Sequence, residues 1–193
     1  MRVNIAKTQV EYDAVRQLRL KVNYEELGKD YLFDNQEEID ENATVLFVEK
    51  DDEVIGTVRC LFVNYNQEIE DYWGIGRPIS RSKIGLTDRL AVLPAFRNSR
   101  AAYQLVTQIY KQALLEGSHL ALMECEDYLL PFYEHMGFRA FRQVVHSYGL
   151  RNQLYINPWN ANHLAKVRSP FLGEYNRYQE EMNRFIMSQN QAV

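Results

Sequence analysis

The sequence predicts one α/β (α+β) domain, a sheet flanked by helices with a C-terminal helix packed on its body. Three observations carry that expectation. Two β-branched runs meet at a tight acidic turn within residues 44–63, a strand enters a helix through an arginine-rich turn within 88–117, and a long apolar stripe at helical spacing follows Ser169. With 193 residues, the chain suits a single domain over 1–193, its last helix at 168–190, and can bury a sizeable core. Apolar residues at 46% and charged residues at 25% are ordinary for a globular protein and argue against disordered or fibrous architectures.

Each element follows from local pattern. Residues 3–5 read as a short strand, and Tyr12, Val15, Leu18, Val22 and Leu27 lie near helical spacing before Gly28, so a helix is expected over 11–26. Residues 29–43 mix acids with few periodic apolar positions and suggest an ordered loop or lid, with a solvated linker as the alternative. TVLFVEK and EVIGTVRCLFV, joined at Asp51 and Asp52, predict an antiparallel hairpin. Residues 64–87 are expected to be irregular apart from one helical turn near 67–72.

DRLAV then reads as a strand halted by Pro94, and Leu105, Val106, Ile109, Ala113 and Leu114 form one face of a helix from Ala101 to the stop at Gly117. HLALMEC is a further strand, DYLLPFYEHM a short helix ended by Gly137, and FRAFRQVVHSY and QLYI two more strands. Ser169 is a candidate N-cap with Pro170 at the first helical position. Phe171, Leu172, Tyr175, Tyr178, Met182, Phe185 and Ile186 give that last helix its docking stripe.

Cys60 and Cys125 are isolated in apolar stretches, and the four histidines show no ligand spacing, so neither a disulfide nor a metal site is expected. No run reaches the roughly 18 apolar residues of a membrane span, and MRVNIAKTQV has no signal-peptide core, so a cytoplasmic protein without stable membrane insertion is expected. The net charge of −4 argues against nucleic-acid binding. It conceals an asymmetry: residues 25–53 hold twelve acids against Lys29 and Lys50, whereas Arg77, Arg81, Lys83, Arg89, Arg97 and Arg100 face only Asp88 within 77–100.

The chemistry concentrates in DRLAVLPAFRNSRAAYQLV. A helix start presents unpaired N–H groups and a partial positive charge, and Arg97 and Arg100 add full charges there, which suits a phosphate. On this segment alone, a solvated turn with two arginines is an equal alternative.

V-x-P-x-x-R at Val92 to Arg97, then a helix, a strand and Y-E-x-x-G-F at Tyr133 to Phe138, resembles the GNAT acyltransferase superfamily over most of residues 3–148. The resemblance implies a central mixed, mostly antiparallel sheet. It also implies a strand, Ala91, Val92 and Leu93, that hydrogen-bonds the pantetheine arm, a turn of Arg97, Asn98, Ser99, Arg100, Ala101 and Ala102 that cradles phosphate, and Tyr133 as the acid for the leaving thiolate. Arg100 stands where the superfamily pattern has glycine, which suits a single phosphate better than a diphosphate. The donor expected is therefore the acyl-phosphopantetheine of an acyl carrier protein, with a coenzyme A thioester as the alternative and no permanently bound cofactor. Carrier proteins are usually acidic, which gives the basic run a partner.

A-V-R-x-L-R-L-K-V-x-x-x-E-L-G from Ala14, D-E-N-A from Asp40, V-I-G-T-V-R from Val54 and D-R-L-A-V-x-P from Asp88 resemble acyl-homoserine lactone synthases and the related long-chain N-acyl amino acid synthases, with Arg19, Asp40, Arg59 and Arg89 at recurrent charged positions. A tryptophan is absent around Gly28, and Leu86 stands where lactone synthases carry an acid, so the resemblance favours transfer of a long acyl chain to the α-amine of an amino acid, with tyrosine as a candidate. An acyl-CoA-dependent acetyltransferase, a lactone-synthase-like enzyme and a non-catalytic binding module are the alternatives.

Amide formation needs an uncharged amine, a polarised carbonyl and a route for the thiolate. Backbone N–H groups near Val92 and Leu93 are candidates for the carbonyl, and Glu124 or Glu126, at a strand end, for the base; both glutamates are equally readable as solvated. Tyr133 beside Phe132 is either the acid or a packing residue. Arg19, Arg59 and Arg89 are candidates to hold the acceptor carboxylate, or else to pair with Asp40, Asp88, Glu37 or Glu38. Tyr103, Leu129, Leu130, Phe132, Phe138 and Phe141 supply apolar surface near the cleft, most of it core.

Overall fold

The computed structural model describes residues 1–28, 42–75, 83–97 and 99–190. The expected lid at 29–43 falls almost entirely outside the described residues, as do Arg77, Arg81 and Asn98.

β1 (Arg2–Ile5) is followed by α1 (Gln9–Arg19), which starts two residues before the expected position because Thr8 and Glu11 form a capping box. The helix does not continue regularly to residue 26. From Leu20–Glu26 it widens into a π-helix, with the Leu27 N–H donating to the Val22 carbonyl at 3.2 Å.

β2 (Thr44–Lys50) and β3 (Glu53–Asn64) form the expected hairpin. Asp51 and Asp52 both have positive φ, 53° and 62°, the conformation that matches the twist of a two-residue hairpin. α2 (Gln67–Trp73) is capped by Asn66, whose side chain accepts from the Ile69 N–H at 2.9 Å.

β4 (Lys83–Val92) begins five residues earlier than the sequence pattern indicates. Gly85 lies in this added stretch at a close contact: a Cβ there would lie 3.2 Å from the Phe62 ring. α3 (Ala101–Leu115), β5 (Leu120–Cys125), α4 (Leu130–Met136), β6 (Arg139–His146) and β7 (Gly149–Ile156) complete the body. A short α5 (Ala161–Lys166), not expected from the sequence, leads to α6 (Phe171–Asn190).

The strands form one sheet in the order β1-β2-β3-β4-β5-β7-β6, antiparallel throughout except for β4 against β5. α3 joins two of its core regions. Leu105 and Ile109 pack with Leu18, Val22, Leu46 and Val58, while Val106, Tyr110 and Leu114 pack with Met123, Tyr133, Phe138, Leu154 and Phe171. Cys60 and Cys125 are reduced and buried.

The C-terminal helix docks through only its first half. Ser169 accepts from the Phe171 N–H at 3.1 Å, the Phe171 ring stacks on Tyr110 with centroids 4.2 Å apart, and Glu174 pairs with Lys111 at 3.1 Å. Met182, Phe185 and Ile186, expected to be part of the docking stripe, are exposed.

Candidate active site

The cleft originates where two parallel strands lose each other. β4 and β5 pair from Ile84↔Leu120 to Thr87↔Met123 and then diverge, so residues 88–92 of β4 have no ladder partner on β5. A bulge sharpens the separation. Between Arg59↔Asp88 and Thr57↔Ala91, β4 advances three residues against two on β3, and Arg89 takes φ 53°.

The Leu93 N–H donates to the Ile55 carbonyl at 2.9 Å, so it is committed to β3, contrary to the expectation that it faces a reacting carbonyl. Strand alternation turns Val92 to the opposite edge, where its carbonyl accepts from Arg97 Nε at 3.2 Å and its N–H faces the gap.

Two contiguous cavities occupy this gap. The first, about 300 Å³, is mainly apolar and is lined by Val22, Leu27, Leu90, Ala91, Val92, Ala102 and Leu129, with Arg97 and Tyr128 at its polar side. The second, about 180 Å³, holds more of the charged side chains: it is lined by Thr87, Asp88, Arg89, Glu124, Tyr133, Tyr148 and Arg151 together with the apolar Met123 and Cys125. Asn23, Leu90, Glu126 and Leu129 belong to both.

The two glutamates have different surroundings. Glu124 Oε1 accepts from Tyr72 and Gln153, each at 2.8 Å, and Oε2 lies 3.0 Å from His146 Nε2. Glu126, at the junction of the cavities, pairs with Arg151 at 3.2 Å. Tyr133 is buried, with edge-on ring contacts to Phe132 and Phe138, and its burial pushes the phenol well above the usual tyrosine value.

The turn before α3 is organised by Ser99, whose hydroxyl donates to the Phe96 carbonyl at 2.6 Å and accepts from the Ala101 N–H at 3.2 Å. Arg100 is exposed at the helix start and Ala101 is buried. The Arg97 guanidinium is held bidentately by Glu26, with both N–O distances 2.6 Å, and this carboxylate raises its pKa further.

The three candidate acceptor arginines separate. Arg89 lines the second cavity. Arg59 is bound through two nitrogens by Asp88, and Arg19 is almost fully buried; neither lines either cavity. Leu93, Ser99, Arg100 and Ala101 lie beside the apolar cavity in sequence without lining it.

Of the residues proposed for an apolar tunnel, Leu129 alone lines both cavities, while Phe132, Phe138 and Leu130 join the core around Tyr133. Asn23, Glu26, His146, Tyr148 and Arg151 were not singled out by sequence. The Glu26–Arg97 pair spans 71 positions, and only the fold brings it together.

The acetyltransferase (GNAT) family model matches residues 12–138. No curated protein sequence matches the chain. Among solved structures, FeeM, an N-acyl amino acid synthase from uncultured soil microbes, is similar with TM-score 0.60 and 16% identity, over 82% of this chain and 95% of that one. Escherichia coli ElaA gives TM-score 0.63 at 16% identity, over 80% and 97%. An aminoglycoside 6'-N-acetyltransferase complexed with coenzyme A gives TM-score 0.58 at 12% identity, over 82% and 97%. At these identities the likeness is one of fold.

Proposed function

The chain belongs to the acetyltransferase (GNAT) family, and from that premise we propose that it moves a long-chain acyl group from the thioester of an acyl carrier protein to the α-amine of an amino acid, with tyrosine the first acceptor to test. One observation carries the reading: an apolar cavity beside a cationic turn shares a wall with a second cavity that is lined by two arginines and several carboxylates. The first suits an acyl-pantetheine arm, and the second suits a small zwitterion.

In this reading Arg97, Arg100 and the start of α3, including Asn98, Ser99, Ala101 and Ala102, receive the single phosphate. Ala91 and Val92 offer the strand edge, with Leu93 fixing that edge through its bond to Ile55. Arg89 holds the acceptor carboxylate. Arg19 and Arg59 act as internal supports, since neither reaches a cavity.

Glu126 takes the proton from the amine, because it borders both cavities, whereas Glu124 borders only the second. The amine nitrogen attacks the thioester carbonyl, the Val92 N–H supports the oxyanion, the carbon–sulfur bond breaks, and Tyr133 protonates the thiolate. The Tyr133 phenol is protonated at neutral pH already at its ordinary pKa, and burial raises that value further.

Lipid extracts from a bacterium expressing the protein, analysed by mass spectrometry, test the proposal. N-acyl amino acids should accumulate with the native chain and not with Glu126→Gln. Their absence, together with acetyl transfer from acetyl-coenzyme A by the purified protein, would favour an ordinary acetyltransferase.

A further inference from the structure

We infer that the side-chain amide of Asn23 is a second donor to the acyl carbonyl oxygen, placed across the cleft from β4. Asn23 is 5% exposed, and its amide nitrogen has no hydrogen-bond partner among the described residues. Buried amide groups are ordinarily paired, so an orphaned donor on a residue that lines the cleft points to a ligand oxygen.

Its location identifies which oxygen. Asn23 belongs to the walls of both cavities, and in the proposed reaction the substrate oxygen that stays at their junction throughout is that of the thioester carbonyl, which becomes the carbonyl of the new amide. The other groups shared by the two cavities are two leucine side chains and the Glu126 carboxylate, none of which donates a hydrogen bond to it. The acceptor carboxylate has Arg89 and Arg151 in the second cavity. A neutral donor is therefore left for an oxygen that carries charge only transiently.

The π-helix places this residue. Val22 and Leu27, five apart and joined through their backbone, both line the apolar cavity, and Asn23 lies in that same wide turn. During transfer the amine nitrogen forms the C–N bond and gives its extra proton to Glu126. The C–S bond breaks with its electron pair on sulfur, which is protonated by Tyr133, while the Asn23 amide remains unchanged and releases the product carbonyl.

The inference rests on acyl transfer in this cleft and not on which amine accepts. The experiment uses hexadecanoyl-pantetheine, carbon-13 labelled at the carbonyl, bound to the full chain and to its Asn23→Leu and Asn23→Asp variants. The carbonyl stretch should lie at lower wavenumber on the native protein than on either variant. With a turned-over acceptor, kcat should fall roughly a hundredfold with little change in KM, the usual size of a lost oxyanion donor.

Asn23→Leu should melt no lower than the native chain, because its amide nitrogen gives up no protein partner. Asn23→Asp preserves the shape while removing the donor. An identical carbonyl band in all three proteins, or an unchanged kcat in both variants, overturns the assignment. A band shift in a native protein that acylates no amino acid would support Asn23 and refute the proposed acceptor class.

Discussion

Tyr133 touches Phe132 and Phe138 through ring centroids 5.0 and 5.8 Å away, so removing its hydroxyl leaves this packing in place. Tyr133→Phe should lower kcat by about 10²-fold, the scale of a lost general acid, while a thermal melt stays close to that of the native chain. An equal loss of rate and stability would assign the residue to packing alone. Burial also pushes the Cys60 and Cys125 thiols up to about 12 from 9.0. Since the folded values are raised, their stabilising contribution is complete below about pH 9 and is lost as pH climbs towards 12. Urea unfolding should show stability falling across that interval, with a shallower decline in the Cys60→Ala, Cys125→Ala double variant. The burial of both thiols was legible from their apolar neighbours in sequence. The orphaned amide of Asn23 was not, because hydrogen-bond satisfaction is a property of the assembled fold.

The 2.6 Å Glu26–Arg97 pair ties the end of the π-helix to the turn before α3. Glu26 presents a carboxylate to the cation that the proposed donor phosphate would use, so Glu26→Gln should tighten binding of acyl-carrier protein in a titration; weaker binding would mean that the pair shapes the site instead. At the other end of the sheet, Gly137 ends α4 with φ 109°, and a Cβ there would lie 3.2 Å from Leu164 and Ser169. Gly137→Ala should cost about 2 kcal/mol in urea unfolding, from left-handed strain and crowding together. The hairpin at Asp51 and Asp52 and the stop at Gly137 were readable because turn chemistry is local. The start of β4 was missed because the turn residues of NYNQ, WGIGRP and SRSK carried the irregular reading through residue 87, and the π-turn because Val22 and Leu27 fit a regular helical pattern closely enough to mask it.

Across the molecule, charge and apolar surface are distributed unevenly. Of the described part of the basic run, Arg89 and Arg97 line the cleft and Arg100 is exposed at the start of α3, whereas Lys83, at the far end of β4, pairs with Glu116. Arg97→Glu with Arg100→Glu should weaken carrier-protein binding and flatten its dependence on salt, since screening acts on the charges removed. Binding unchanged across ionic strength would discard docking at this face. The fold class and the strand, turn and helix around the proposed donor site were legible because they rest on order and spacing along the chain. The division of the arginines was not: Arg59 is taken by Asp88 and Arg89 is turned into the cleft by a bulge, and both depend on sheet register. The central claim is tested most directly by one measurement, the product formed by purified protein from hexadecanoyl-acyl carrier protein and, separately, hexadecanoyl-coenzyme A with tyrosine and other amino acids, read by mass spectrometry. The account predicts an N-hexadecanoyl amino acid, formed with higher kcat/KM from the carrier. Equal or better use of the coenzyme A thioester, or no acylated amino acid from either donor, would contradict it.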